Sequence, residues 1–315
     1  MRPWNTNLLR LVFISAVLFG AAFFAFAQRL RPTDRLYALL AQAAESGWNA
    51  ELRREAGSLY IELGDLDAAL AHWESALLIS PADELLLRRA AELYVQRARW
   101  PEALAAVRRL LEARPDDAWA NLHLGLILAP SAPAEAAAAL RRAAQAGMQP
   151  PDRLIETLEA ERESPRGLAL EVGTVMADAK IYSYAERAFE LAATLGFARG
   201  EALASVALMR GLQSKDGQRW LDEAMATAPQ SPQVHAAAGY YYRATGQSFL
   251  SLASFANAIS FAPLDAELYA ELGRSYELIG DPATAAFWYG QAAMIAPNVP
   301  KYAQMAQAAA AMSSP

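Results

Sequence analysis

Prolines spaced 34 residues apart constrain the fold of this chain more than any other feature. Pro81 and Pro115 form one such pair, and Pro229, Pro263 and Pro297 follow with the same 34-residue spacing. Proline ends a helix because its ring removes the backbone N–H and clashes with the preceding turn. A fixed period of this length predicts an array of stacked helical repeats, because one such repeat cannot bury its apolar face alone. The expected fold class is all-α.

The residues that precede each proline recur in the same register. Before Pro297 they are Tyr269, Leu272, Gly273, Tyr276, Gly280, Ala285, Tyr289 and Ala292. Large residues three or four positions apart lie on one stripe of a helix. A small residue at the eighth position of the repeat, in its first helix, lets the second helix approach closely. In the second helix, two alanines flank one large residue, which fills the space between them. Each repeat is therefore predicted to be two helices joined by a turn.

This pattern resembles the tetratricopeptide repeat, which reads Trp-x2-Leu-Gly-x2-Tyr and then Ala-x3-Phe, Ala and Pro. The resemblance implies a right-handed α-solenoid of helix-turn-helix repeats. The repeats begin at Ala50, Glu84, Ala118, Arg166, Ala198, Pro232 and Ala266. The last two follow the pattern most closely, whereas the repeat from Ala198 is degenerate.

Helix-capping residues occur in the same register as the prolines. Asp83, Asp117, Ser231 and Asp265 each come two residues after a repeat proline. A side-chain oxygen at that point can accept a hydrogen bond from the first turn of the next helix. We therefore predict that these four residues are N-caps.

The repeat register divides the chain into blocks. Residues 50–148 hold three repeats and residues 166–297 hold four, while residues 33–48 reproduce half a repeat and are predicted to cap the first one. Residues 149–165 fall outside the register and are predicted to contain a short charged helix, acting either as a hinge or as a tolerated surface insertion. Residues 298–315 are predicted to form a closing helix and a tail.

An uncharged apolar run at residues 11–27 predicts a membrane segment within residues 1–31. As a helix it spans about 25 Å, close to the lower limit for a hydrocarbon core of about 30 Å. A retained single-pass transmembrane anchor is favoured by the arginines that directly follow the run. A secretory signal cleaved after Ala27 is favoured by the small-x-small triplet that ends there.

Basic residues flank both ends of this run, so the positive-inside rule gives nearly a tie for its orientation. We expect the repeats on the extracytoplasmic, periplasmic side. When an apolar segment of a bacterial type ends in an Ala-x-Ala triplet, a short N-terminus kept inside with an exported domain is the commoner result. If the signal is cleaved, the product is secreted or periplasmic and soluble. Cytoplasmic exposure of the repeats is the remaining alternative.

Composition argues against several classes of function. The absence of cysteine excludes disulfides, thiolate metal sites and cysteine nucleophiles. A net charge of −6 with interspersed charges predicts no general attraction to nucleic acid. No His pair has the spacing of a metal hydrolase, and no Gly-rich phosphate loop occurs. We expect no catalytic residues, no metal, no cofactor and no small-molecule substrate. The alternative is an enzyme whose site is hidden in residues 149–165 or in the concave groove of the repeats.

The resemblance to tetratricopeptide repeats also implies a concave groove, lined by positions 2, 5, 9, 12 and 13 of the first helices. In the first two repeats these positions hold Glu51, Arg54, Ser58, Ile61, Glu62, Leu85, Arg88, Glu92, Val95 and Gln96. The predicted protein-binding residues of the whole chain are Arg54, Arg88, Trp119, Leu122, Leu126, Met209, Tyr240, Arg243 and Arg274. The apolar centre at Trp119, Leu122 and Leu126 is typical of a hot spot for a helix or a folded partner. Alternatively, Trp119 and Leu122 simply pack against the neighbouring helix.

These features predict a membrane-tethered scaffold for protein–protein interaction, acting as an accessory or assembly component of a membrane-associated complex. Its expected partners are other proteins, such as subunits of that complex, with residues 11–27 in the membrane. The alternative is an exported soluble adaptor in envelope or secretion-system assembly, released by cleavage after Ala27.

Overall fold

The protein is all-α over the residues that the structure, a computed structural model, describes, which are 31–160 and 167–313. This part of the chain forms 17 helices and no strand. The all-α prediction is confirmed for it. The predicted membrane segment, residues 11–27, lies outside the described residues. Among the helices of the described ranges, none has both the length and the apolarity needed to cross a membrane.

The helices fall into two compact units, divided between Arg114 and Pro115. The N-terminal unit contains α1 (Pro32–Ser46), α2 (Ala50–Glu62), α3 (Leu66–Ile79), α4 (Glu84–Gln96) and α5 (Trp100–Ala113). Helix α2 pairs with α3, and α4 pairs with α5. Helix α1 packs Leu36, Leu39 and Ala43 against the buried side of α2. It therefore covers an apolar face that the first helix pair would otherwise expose.

The C-terminal unit contains the remaining twelve helices. These are α6 (Ala118–Leu128), α7 (Pro133–Gln145), α8 (Leu154–Glu159), α9 (Leu168–Asp178), α10 (Tyr182–Thr194), α11 (Arg199–Leu212), α12 (Gln218–Thr227), α13 (Pro232–Ala244), α14 (Ser248–Phe261), α15 (Ala266–Leu278), α16 (Pro282–Ile295) and α17 (Pro300–Met312). Consecutive helices pair throughout, and the short α8 contacts both α7 and α9. Helix α8 falls within the predicted off-register stretch, and it buries Leu154 and Leu158. It is thus packed into the stack rather than only displayed on its surface.

Small residues in the first helix of a repeat let a large side chain of the second helix pack against its backbone. A Cβ atom added at these glycines would lie 2.3 to 2.9 Å from that side chain, closer than carbon atoms pack. The pairs are Gly57–Trp73, Gly125–Leu140, Gly173–Phe189, Gly239–Phe255 and Gly273–Tyr289. The large residue predicted between alanines in the second helix therefore packs against the small residue at the eighth position of the first helix.

The four predicted N-caps are confirmed. Asp83, Asp117 and Asp265 each accept a hydrogen bond from a backbone N–H of the following turn, at 3.0, 2.8 and 3.0 Å. Ser231 accepts one from Val234 at 3.3 Å. These bonds satisfy backbone donors that the first turn of a helix leaves unpaired. The start of each of these helices is therefore fixed by a hydrogen bond between its N-cap side chain and its own first turn.

In five of the repeats, those from Ala50, Glu84, Arg166, Pro232 and Ala266, a left-handed residue occupies the fifteenth position, in the turn between the two helices. Gly64 has φ +80° there, and Gly280 has φ +82°. Two repeats place other residues at the same point, Ala98 with φ 55° and Lys180 with φ 60°. A side chain in this conformation brings its Cβ close to the backbone. These two turns therefore hold local strain that the glycine-containing turns avoid.

Candidate functional site

The first helices of the N-terminal unit, α2 and α4, line a groove that we call the α2–α4 groove. It has a volume of about 380 Å³. Its lining residues are Ser58, Ile61, Glu62, Leu66, Trp73, Arg89, Glu92, Leu93 and Gln96. Four of these nine residues, Ile61, Leu66, Trp73 and Leu93, are apolar, and the other five, which we call the rim, are polar or charged. An apolar cavity with a few polar groups around it is the usual form of a binding site.

The rim of the groove carries both charged and neutral polar groups. Arg35 reaches across from α1, and its Nη1 lies 3.2 Å from Oε2 of Glu62. Arg89 donates a long hydrogen bond of 3.4 Å to Ser58 Oγ. Glu92 is exposed and makes no ion pair with any residue that the structure describes. Its carboxylate is therefore available to a cationic group of a partner.

The two predicted site residues in this unit, Arg54 and Arg88, do not line the groove. Arg54 Nη1 lies 3.0 Å from Oδ2 of Asp83, the residue that caps α4. Arg54 also accepts a hydrogen bond at its backbone oxygen from Trp73 Nε1, at 3.2 Å. Its side chain therefore joins one repeat to the next and does not line the groove. Arg88 is half-buried and also lies outside the groove lining.

The groove is lined by other members of the positions carried over from the family pattern. Ser58, Ile61 and Glu62 come from α2, while Glu92 and Gln96 come from α4. All five belong to the set that the pattern gives for the first two repeats. The pattern thus includes five of the residues that line the groove, but it does not show which of its positions pair with neighbouring side chains.

The predicted apolar centre in the C-terminal unit is largely packed. Leu126 is only 5 % exposed, and Leu122 and Trp119 are half-buried. The ring of Trp119 lies 4.0 Å from that of His123, and His123 Nδ1 is 2.6 Å from the hydroxyl of Tyr184. Leu126 therefore contributes to internal packing. A protein-binding role for these three predicted residues stays a prediction.

Three predicted residues near the end of the chain meet around one carboxylate. Arg243 Nη2 lies 2.6 Å from Oε2 of Glu271, and Arg274 Nη1 lies 3.6 Å from its Oε1. The guanidinium of Arg243 also stacks 5.0 Å from the ring centre of Tyr240. Burial raises the pKa of the Tyr240 hydroxyl, and the Glu271 charge adds to the shift. The ninth predicted residue, Met209, is buried.

A buried carboxylate cluster in the C-terminal unit was not predicted. The side chain of Glu186 on α10 is only 8 % exposed, and its Oε1 lies 2.7 Å from Arg210 Nη1. Its other oxygen accepts hydrogen bonds from Gln213 at 2.8 Å and Lys215 at 3.4 Å. Burial raises the pKa of nearby Glu190, and the Glu186 charge raises it further. The cluster joins α10 to the turn after α11, so its geometry assigns it a structural role.

Metal-binding geometry does not occur in the described part of the chain, where no group of three or more His, Asp or Glu side chains converges on one point.

One stretch of the sequence matches a known family model. The stretch is residues 60–124, and the model is that of the tetratricopeptide repeat. This match supports the predicted resemblance to the tetratricopeptide repeat family. The matched residues begin in α2 and include the whole of α4, so they cover most of the α2–α4 groove. No curated protein matches the sequence.

Several solved structures are similar to this chain at low identity. A tetratricopeptide repeat protein from Parabacteroides merdae ATCC 43184 is 16% identical, with 82% of this chain and 98% of that chain covered and a TM-score of 0.38. PilW, described as a widely conserved type IV pilus biogenesis factor, is 19% identical, with coverage of 81% and 97% and a TM-score of 0.31. A thermophilic repeat protein from Thermus thermophilus is 19% identical, with coverage of 82% and 98% and a TM-score of 0.27.

Proposed function

We propose that this protein is a membrane-tethered scaffold that binds a segment of a partner protein in the α2–α4 groove. The observation that carries the proposal is the groove itself, whose apolar lining comes from Ile61, Leu66 and Leu93. Helix arrays of this kind typically act as non-enzymatic scaffolds that use extended surfaces of their first helices. The match over residues 60–124 supports the use of such a surface here.

The chemistry of the groove defines the segment that fits it. Burying one large aliphatic or aromatic side chain against the apolar side contributes about 1.5–3 kcal/mol. The unpaired carboxylate of Glu92 favours a cationic side chain beside that apolar residue, because complementary charges select partners and speed their encounter. We therefore expect a partner segment that presents an apolar anchor followed or preceded by Lys or Arg.

The membrane tether is the part of the proposal that rests on sequence alone. Residues 11–27 form the apolar run, and Pro32 begins α1 only a few residues later. A tether raises the effective concentration of the groove near membrane proteins, so that weak contacts suffice. This favours a role as an accessory or assembly component of a membrane complex, with the repeats on the extracytoplasmic side. Protease protection in sealed vesicles tests that side directly.

The second candidate is an exported adaptor released from the membrane. It is favoured by the triplet Ala25-Phe26-Ala27, which has the form of a cleavage site. Intact-mass measurement of the purified protein distinguishes the two. A full-length mass supports the retained anchor, whereas a mature chain starting at Gln28 supports the released adaptor and contradicts the tether.

The groove is tested by co-purification from gently solubilised membranes with Glu92→Lys, which reverses the free charge on the rim. Glu112→Lys is the matched control, since Glu112 is an exposed glutamate on α5 that does not line the groove. We expect the wild type and Glu112→Lys to recover the same partner and Glu92→Lys to lose it. Equal recovery with all three chains, or recovery of the free monomer alone from the wild type, contradicts the proposal.

A further inference from the structure

One of the two carboxylates that line the α2–α4 groove is paired with a cation from outside the groove. These carboxylates belong to Glu62 and Glu92. Nη1 of Arg35, on the capping helix α1, lies 3.2 Å from Oε2 and 3.4 Å from Oε1 of Glu62. Glu92 has no such partner among the described residues. The structure therefore shows a guanidinium held at one of the two acidic positions of the groove.

The position of Glu62 in its helix favours a cation beside it. Glu62 is the last residue of α2, and the last turn of α2 contains no basic side chain. The carbonyl groups at the end of a helix carry partial negative charge, which attracts cations. The one guanidinium of the groove lining, that of Arg89, donates its hydrogen bond to the hydroxyl of Ser58. A cation at Glu62 is therefore stabilised by the carboxylate and by the end of the helix together.

The pair between Arg35 and Glu62 is weak enough to be exchanged for another. Their side chains are 34 % and 44 % exposed, so water screens the attraction between them. Ion pairs at such exposure change an equilibrium constant by less than about fivefold. Helix α1 is held against α2 independently by Leu36, Leu39 and Ala43. Arg35 can therefore leave Glu62 while α1 stays in place.

We propose that the partner segment carries a second cation, a Lys or Arg side chain that takes the place of Arg35 at Glu62. This second contact depends on the proposed function, and it defines the segment further as an apolar anchor with two basic residues, one at Glu92 and one at Glu62. Arg35 keeps Glu62 paired until the segment binds, and it competes with the segment for that carboxylate. Removing Arg35 therefore strengthens binding, because two events that exclude each other are coupled in free energy.

The segment that the groove captures serves as the probe. Photo-cross-linking of the full-length chain from Gln96, which lines the groove, and mass spectrometry of the adduct map this segment. We expect it to contain an apolar residue and two basic ones. A synthetic copy with a fluorescent label then gives a Kd by fluorescence anisotropy with the full-length protein in mild detergent. A segment with one basic residue or none overturns the second contact, although its capture still supports the groove.

Substitutions in the pair test the exchange itself. We expect Arg35→Gln to lower the Kd of the labelled segment by about twofold to fivefold. Glu62→Gln should bind the segment no more tightly than the wild type, because it removes the carboxylate that the second cation needs. Arg31→Gln is the matched control, since Arg31 is an exposed arginine at the N-cap of the same helix and lies outside the groove lining. It should leave the Kd unchanged.

Two results overturn the exchange and leave the groove intact. The first is an unchanged Kd in an Arg35→Gln chain whose thermal melting matches that of the wild type. The second is an equal gain in affinity from Glu62→Gln, since loosening α1 would then be enough to strengthen binding. Absence of any adduct from Gln96 is a different outcome, because it contradicts the proposed function and the second contact with it.

Discussion

The close approach of two helices in the last repeat gives the sharpest test of the packing. In Gly273→Ala the added Cβ would lie 2.9 Å from two ring carbons of Tyr289 and 3.1 Å from the backbone oxygen of Ala285. Tyr289 has no solvent exposure, and its hydroxyl donates a 2.8 Å hydrogen bond to Glu277. The ring therefore cannot move away without losing that bond and disturbing its neighbours.

The expected magnitude is the balance of opposing effects. Replacing glycine by alanine inside a helix stabilises it by about 1 kcal/mol. Overpacking costs about 1–3 kcal/mol, and loss of the Tyr289 hydrogen bond adds about 1 kcal/mol. The gain and the lost hydrogen bond nearly cancel, so we expect Gly273→Ala to lower the free energy of unfolding by about 1–3 kcal/mol. Urea unfolding followed by far-ultraviolet circular dichroism measures this as a lower midpoint.

The same repeat contains its own control. Gly290 also lies within a helix, α16, but an added Cβ there meets nothing within 4 Å. Gly290→Ala should therefore keep only the helix-propensity gain and raise the midpoint. The reasoning is refuted if Gly273→Ala is as stable as the wild type, or if both variants shift the midpoint in the same direction by the same amount.

Three further perturbations test the turns, the caps and the burial of a titrating group. Ala98→Gly should raise the free energy of unfolding by about 0.5–1 kcal/mol, because it relieves a left-handed alanine; a lower urea midpoint would contradict this. Asp265→Ala should lower it by about 1 kcal/mol, whereas Asp265→Asn, which keeps a capping oxygen, should leave the midpoint nearly unchanged. Burial lowers the pKa of His72 below its ordinary value of 6.5, and the Arg53 charge lowers it further. Protons then bind more tightly to the unfolded chain, so stability should fall as the pH drops from about 7 to 5. His72→Phe should make that fall smaller in pH-dependent urea melts, and an identical fall in both chains would be evidence against the burial argument.

Features that repeat in register, or that act over one helical turn, were predictable from the sequence. The caps at Asp83 and Asp265 depend on one side chain and the next backbone turn, so their position after a proline is sufficient. The contact between Gly239 and Phe255 depends on a fixed offset within one repeat. The same offset recurs in most repeats, and one sequence therefore shows it several times.

Contacts that occur once, between repeats, were not predictable. The Glu186 cluster draws on Arg210, Gln213 and Lys215, which belong to the degenerate repeat and follow no offset seen elsewhere. Arg54 was predicted to face the groove, and its side chain pairs with Asp83, the N-cap of the next repeat. The family positions specify a helical face, and the competition between neighbouring side chains decides which residues remain free on it.

The central claim is that the α2–α4 groove holds a segment of a partner protein. Site-specific photo-cross-linking in intact cells tests it most directly, with the photoreactive residue placed at Gln96 in the groove or at Arg108 on the exposed side of α5. We predict one discrete adduct from Gln96, identified by mass spectrometry as a single partner protein, and no such adduct from Arg108. No adduct from Gln96, or the same adduct from both positions, would contradict the claim.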